Sequence, residues 1–307
     1  MDVSVVIVSY NTCELTCNCL FAVIEKTHGV NYEIIVVDNA SSDGSVAMIQ
    51  ETFPQVRLVA EQNNWGFGKA NNIGAEYAKG DYLFLLNSDT ILVNNAIKIL
   101  HDYIKSNLKA GICGGQLVDV KGNNINSHGP FPSVFREVSV ALFPAAWLNY
   151  KSIDYSTAQP VNRFISGADM MINRQFFNQL KGFDTDFFMY SEDVDLSLRC
   201  KCAGYLTCFV PEAKIIHLVN QSSNDEIPSE VQYINKWSYS EERYSRFVLL
   251  KKLYGPCFTR LIYLIYYFKG EIAAAFFFLS GNKQKRIYWK KYSDIHKTQY
   301  QRYLRNL

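Results

Sequence analysis

Short apolar runs alternate with longer amphipathic stretches through the first half of the chain. Val3–Ser9, Tyr32–Asp38, Val56–Glu61 and Tyr82–Asn87 are four such runs, rich in Val, Ile and Leu. Apolar runs of that length suit central strands of a parallel sheet, covered on both faces. Between them, Glu14–Lys26, Gly44–Thr52 and Phe67–Lys79 carry helical patterns. Strands separated by helices of that size predict βαβ units with right-handed crossovers. Such sheets bind ligands beyond the carboxyl ends of their strands. Here those ends read Ser9-Tyr10-Asn11, Asp38-Asn39 and Asn87-Ser88-Asp89, so three polar clusters are predicted at one edge.

The second half is less regular. Gly111–Val118 reads as a strand, and Lys121–Pro160 as a long connection of the kind that is usually functional. A strand at Ala168–Asn173, a short helix near Gln175–Leu180 and a turn over Gly182–Tyr190 follow. The pattern then predicts a helix over Glu192–Ala203 and strands near Leu206–Val210 and Lys214–His217. Asn220–Ser229 is polar, and beyond it the chain is helical, basic and aromatic to its end. No internal repeat or low-complexity tract interrupts it.

Charge sharpens that last division. The formal net charge is only +2, but from Arg243 onward 14 Lys and Arg stand against Glu271 and Asp294. The body keeps 17 basic and 27 acidic residues, so a net of −10 precedes a tail of +12. A basic, aromatic tail predicts an anionic partner. The eight cysteines lack paired C-x-x-C spacing, which favours reduced thiols over a zinc cluster. Val3 to Val8 reads as a buried strand and not as a leader, which predicts a cytosolic protein or one on the cytosolic face of a membrane.

Three acidic or imidazole groups stand where chemistry is expected. Asp89 leaves the buried strand Tyr82–Asn87 and suits a hard divalent cation bridging a pyrophosphate, although Asn-Ser-Asp taken alone reads first as a plain strand-end turn. Glu192, Asp193 and Asp195 open a helix behind the aromatic run Phe187-Phe188-Met189-Tyr190. Acids there complement the helix dipole, and Asp193 also suits a general base beside an acceptor platform. His217 ends an apolar strand, where it is either a satisfied surface residue or a second metal ligand. In Asn63–Gly74, Gly66-x-Gly68 is followed by Asn71 where the dinucleotide fingerprint has its third glycine, which disfavours a nicotinamide enzyme. Ser9-Tyr10-Asn11-Thr12-Cys13 has neither glycine nor lysine, which disfavours a nucleotidyltransferase.

Taken in order, the motifs resemble the family-2 glycosyltransferases of the GT-A fold, and among them the rhamnosyltransferase-like branch. The resemblance rests on Val5–Asn11, Val36–Gly44, Asn63–Gly74, Leu85–Asp89, Ile165–Ala168, Gly182–Asp184, Phe187–Arg199 and Ile216-His217. It implies an α/β fold, a mixed Rossmann-like sheet flanked by helices, with a helical C-terminal tail. It implies a catalytic domain over 1–223, its donor half 1–117 and acceptor half 118–223, and an extension over 224–307. Ser9, Asn11 and Asp38 would hold the donor nucleoside, and Asn64, Gly66, Asn71 and Asn87 would line the base and diphosphate. Asp89 and His217 would ligate Mg²⁺ or Mn²⁺. Asp193 would be the base of an inverting transfer and Glu192 its neighbour in acceptor binding. Ser88 departs from the branch, which has proline there, and is expected to change loop stiffness more than chemistry.

The resemblance implies a nucleotide-sugar donor, with dTDP-rhamnose ahead of UDP-hexoses and UDP-galactofuranose, and a polysaccharide or lipid-linked acceptor. An inactive sugar-nucleotide-binding protein is the competing class; joint retention of Asp89, Asp193 and His217 speaks against it. In the tail, Lys269-Gly270-Glu271 interrupts apolar Leu261–Leu279 and argues against a spanning helix. Phe276–Leu279 followed by Lys283, Lys285, Arg286, Lys290 and Lys291 reads as an anionic-membrane contact, or as helices packed on the body or on a second subunit. A lipid-linked acceptor accounts for the same charge, which leaves nucleic acid disfavoured.

Overall fold

The computed structural model describes residues 1–143, 156–218 and 237–306. These form two compact units. The first takes in the described residues of Met1–Phe131, Ile153–Phe188 and Glu192–Asn224. The second takes in those of Pro132–Ser152, Met189–Ser191 and Asp225–Leu307.

In the first unit the chain runs β1 (Val3–Ser9), α1 (Cys13–Lys26), β2 (Tyr32–Asp38), α2 (Ser45–Thr52), β3 (Arg57–Ala60), α3 (Phe67–Glu76) and β4 (Tyr82–Asn87). It continues through β5 (Thr90–Leu92), α4 (Ala96–Ser106), β6 (Ala110–Val118) and β7 (His128–Pro130). After α5 (Val134–Leu142), which belongs to the second unit, come β8 (Gln159–Val161), β9 (Arg163–Ile165), β10 (Asp169–Asn173), α6 (Arg174–Gln179), α7 (Glu192–Cys202) and β11 (Leu206–His217). The main sheet is ordered β3-β2-β1-β4-β10-β6-β11-β5, with β8 on β11 and a separate β7-β9 pair. β3, β2, β1 and β4 are parallel, and β10 then enters antiparallel to both β4 and β6. The sheet is therefore mixed.

Alternation along each strand builds two cores. In β1, Val3, Val5 and Ile7 face a cluster with Leu20 and Val23 of α1 and Ile97 and Leu100 of α4. Val6 faces the opposite layer, with Phe176, Phe177, Phe183 and Leu196. The expected strand over Val56–Glu61 is shorter, and it is an edge strand with half-exposed residues, not a central one. The two strands expected at Leu206–Val210 and Lys214–His217 are one, β11, whose register against β6 slips between Val210 and Lys214. The expected connection over Lys121–Pro160 carries β7, α5 and the start of β8; residues 144–155, like the polar stretch Asn220–Ser229, lie outside the described residues.

The second unit is helical: α5, α8 (Trp237–Leu279) and α9 (Lys283–Arg305). Gly255 (φ 81°), followed by Pro256, breaks α8 into two segments. Buried acids are paired: Glu137 of α5 with Arg246, and Glu241 with Arg302 at 2.5 Å. α8 and α9 approach closely at Gly270, where an added Cβ would sit 2.7 Å from Ser293 Cβ.

Candidate active site

β4 ends at Asn87 and the chain turns through Ser88-Asp89 into β5, which pairs antiparallel with the end of β11, His217 opposite Thr90. That register sets His217 Nε2 3.2 Å from Asp89 Oδ1. Asn87 Nδ2 is 3.4 Å from the same nitrogen, and Leu218 N donates to Asp89 O at 2.8 Å. The Asp89 and His217 side chains keep 29% and 16% of their exposure, so neither is sealed in the core.

Asp193 stands on the first turn of α7. Its Oδ2 accepts from Gly167 N at 3.2 Å and its Oδ1 from Val194 N at 2.8 Å. Ala168, the residue after Gly167, accepts from Asn87 N at 3.0 Å. These hydrogen bonds tie the Asp89 turn, the Gly167-Ala168 segment and the start of α7 to one edge of the sheet. Glu192 beside Asp193 is buried, and its Oε2 has no hydrogen-bond partner among the described residues.

Burial pushes both carboxyls above the usual carboxylate range. For Glu192 the charge of Asp193 adds to that rise, whereas the N–H groups of Gly167 and Val194 favour ionised Asp193. Asp193 is therefore the member that ionises first, while Glu192 holds its proton.

The residues expected to meet the donor gather at the ends of β1, β2 and β3. Asp38 is buried; Oδ1 accepts from Ser41 N at 2.8 Å and Oδ2 has no partner among the described residues. Asn11, with φ 52°, accepts at Oδ1 from Ser42 N (2.8 Å) and donates its own N–H to Ser41 Oγ (2.9 Å), joining the first two loops. Ser9 is buried, its hydroxyl 3.0 Å from Thr16 Oγ1 and 3.3 Å from Thr12 Oγ1. Ser88 Oγ reaches Thr12 Oγ1 at 3.2 Å, so a hydrogen bond steadies the turn where the branch has proline.

Asn64 Oδ1 accepts from Gly66 N at 3.0 Å and from Asn39 Nδ2 at 2.8 Å. Asn71 is buried in α3; its Nδ2 donates to Phe67 O at 3.0 Å and its Oδ1 has no partner among the described residues. At Gly66 the backbone takes φ 79°, and an added Cβ would lie 2.1 Å from Phe188 O. The missing side chain thus admits the Phe188 carbonyl, which also accepts from Phe67 N at 2.9 Å. Gly66→Ala is expected to lower stability by about 3 kcal/mol, read from urea unfolding, because no L side chain takes that backbone and space without displacement.

Two residues that the motifs contain without a role prove to be joints. Asn39 bridges the β2 end to the Asn64–Gly66 loop, accepting from Trp65 N at 2.9 Å as well. Asn72 clamps Phe183 at both backbone groups, each at 2.8 Å. Their only sequence signal was an amide next to a motif residue.

The model of glycosyl transferase family 2 matches residues 4–181. The chain belongs to that family. It is a glycosyltransferase with a GT-A fold. An N-acetylglucosaminyl-diphospho-decaprenol L-rhamnosyltransferase of Mycobacterium tuberculosis is 28% identical to this transferase over 67% of this chain and 73% of its own. The O-antigen chain rhamnosyltransferase RfbN of Salmonella typhimurium is 24% identical over 74% of this chain and 69% of its own. Rhamnosyltransferase WbbL of Escherichia coli is 27% identical over 63% and 75%. Among solved structures, GalNAc-T7 with UDP, GalNAc and Mn²⁺ superposes with a TM-score of 0.57 at 17% identity, over 80% of this chain and 51% of that one. S. aureus TarS gives 0.53 at 15%, over 82% and 40%. This chain thus spans about half of the first structure and less of the second, and those likenesses bear on the fold alone.

Among the described residues no three His, Cys, Asp or Glu side chains cluster as a closed metal cage. Asp89 with His217 is an open pair: one hard oxygen and one imidazole nitrogen, 3.2 Å apart and partly exposed. That donor set fits a hard divalent ion held at an open site.

Proposed function

We propose that the transferase moves a rhamnosyl group, with inversion, from dTDP-rhamnose to a polysaccharide or lipid-linked glycan. The observation that carries this reading is the link from Asn87, beside the Asp89–His217 pair, through Ala168-Gly167 to Asp193. One sheet edge thereby offers a place for a leaving diphosphate and, across a short backbone segment, a carboxylate for the acceptor. The rhamnosyl choice draws support from relatives that are rhamnosyltransferases and match along most of their length.

Asp38, with its unpartnered Oδ2, and Asn11 face the donor nucleoside. Ser9, Asn64, Gly66 and Asn71 act mainly by holding the loops around it, and Asn87 orients His217. Asp89 and His217 would hold Mg²⁺ or Mn²⁺, which when bound offsets charge on the departing diphosphate. Asp193 takes the proton from the acceptor hydroxyl as that oxygen attacks the anomeric carbon from the face opposite the nucleotide. Glu192, protonated, is placed to donate to the acceptor. In this reading residues 1–223 carry catalysis, with donor binding in 1–117 and acceptor binding in 118–223. Residues 224–307 keep the enzyme at the cytosolic face of the membrane.

The base must be ionised, and its pKa is raised, so rate falls as pH drops through a value above that of an ordinary Asp. Glu192→Gln, which mimics the protonated acid, is expected to keep that acid limb in place and kcat within about tenfold. A kcat/KM profile against pH checks both. The donor is tested by thermal shift with Mn²⁺ across dTDP-rhamnose, UDP-glucose, UDP-galactose and UDP-galactofuranose. Strongest stabilisation by a UDP-sugar would overturn the rhamnosyl assignment.

A further inference from the structure

The half of α8 beyond Gly255 has two unlike faces. Ile262, Tyr266, Gly270 and Ala274 are buried, and α8 packs along α9. On the other side, Leu261, Ile265, Phe268, Ile272, Phe276 and Leu279 repeat at intervals of three and four and form one continuous apolar stripe. They are exposed or half-buried, Ile272 to 69% and Leu279 to 84%. At the usual rise, the stripe runs roughly 27 Å without a polar residue. Beside it, Ala141 and Leu142 of α5 complete a groove of about 340 Å³ in which Lys269 is the single charged lining residue.

By length and composition α8 is apolar enough to cross a bilayer, which alone is weak evidence. Its two central charges are already engaged. Lys269 Nζ donates to Ala141 O at 2.9 Å, and Glu271 accepts from Ser293 Oγ at 2.5 Å and pairs with Lys290 at 2.8 Å. Helix and partner are thus held side by side, with one apolar face outward, as in helices that lie in a membrane interface.

We propose that this stripe is the face with which the enzyme lies in an anionic lipid bilayer surface. Charge selects the lipid. Exposed Arg260 stands at one end of the stripe and exposed Lys283, Lys285 and Arg286 at the other. Arg286 lies 4.4 Å from the Phe278 ring centroid, so cation and aromatic group share one depth. A second copy of the chain fits less well: a two-fold contact, parallel or antiparallel, would bring cation against cation at both ends of the stripe. The proposal goes beyond the transfer chemistry and specifies which surface makes the membrane contact.

The test is flotation of the full-length chain with vesicles of neutral phosphatidylcholine, or of phosphatidylcholine containing one third phosphatidylglycerol. Wild type is expected to float with the anionic vesicles. The double variant Phe268→Ser, Ile272→Ser, at exposed positions, is expected to lose at least about tenfold in partitioning. Lys285→Glu with Arg286→Glu is expected to lose a similar factor on anionic vesicles and little on neutral ones. Circular dichroism of each variant confirms that the helices persist. Undiminished flotation of the serine variant overturns the proposal. So does sedimentation showing a wild-type dimer that this variant converts to monomer, because the stripe is then a subunit interface. Flotation reads binding without turnover, so either failure leaves the assignment of sugar transfer standing.

Discussion

Asp193→Asn is expected to lower kcat by about 10²–10⁴-fold while leaving donor affinity unchanged within about twofold. Gly167 and Val194 N–H donate to separate Asp193 oxygens at 3.2 and 2.8 Å, so Asn, with one oxygen, keeps one of these two anchors at the start of α7 and loses the other. What is lost is the lone pair that takes the acceptor proton. Burial makes this carboxylate a stronger base than an exposed one, which adds to the cost of losing it. Initial rates with donor and acceptor, beside calorimetry of the donor alone, separate the two effects. A variant that turns over at the wild-type rate would remove Asp193 as base and leave Glu192 as the remaining candidate.

Asp89→Ala is expected to act on the other half of the reaction. Donor affinity should weaken by about 100-fold or more in Mn²⁺, and the difference between titrations with and without Mn²⁺ should vanish. The fold should survive, because Asp89 contributes its backbone carbonyl to Leu218 and that bond does not depend on the side chain. His217→Ala should weaken the same metal-dependent step by a smaller factor, since imidazole supplies a ligand without charge. Wild-type donor binding that is equally tight with and without Mn²⁺ would sink the metal assignment directly, whatever the activity of the variants.

Most of the sheet was legible in the chain. β1, β2 and β4 lie where their apolar runs predicted, because a strand covered on both faces excludes polar residues from its middle. α4 is less legible although Ile97, Leu100 and Ile104 carry a helical period, because it follows a strand too short to announce itself. β5 has three residues, and three residues hold no period. The register slip in β11 was equally silent. Gly115 lacks a Cβ and lies against the Ala213 backbone there, a contact visible only once both strands are paired.

The site divides in the same way. Asp89, Asp193 and His217 stand out by residue type and motif order, each with a plain structural reading beside it. Sequence alone determined that carboxylates and an imidazole end up at strand and helix termini, since a buried strand expels its charges to its ends. Tertiary structure decided that they lie at one edge of the sheet. His217 meets Asp89 because β5 and β11 pair antiparallel, and Asp193 reaches the same edge through Gly167-Ala168 and Asn87. It also decided that Gly66 makes room for a carbonyl, and that α8 keeps one apolar face outward. Periodicity and composition are local, whereas pairing, close approach and exposure are set by what the distant chain brings alongside.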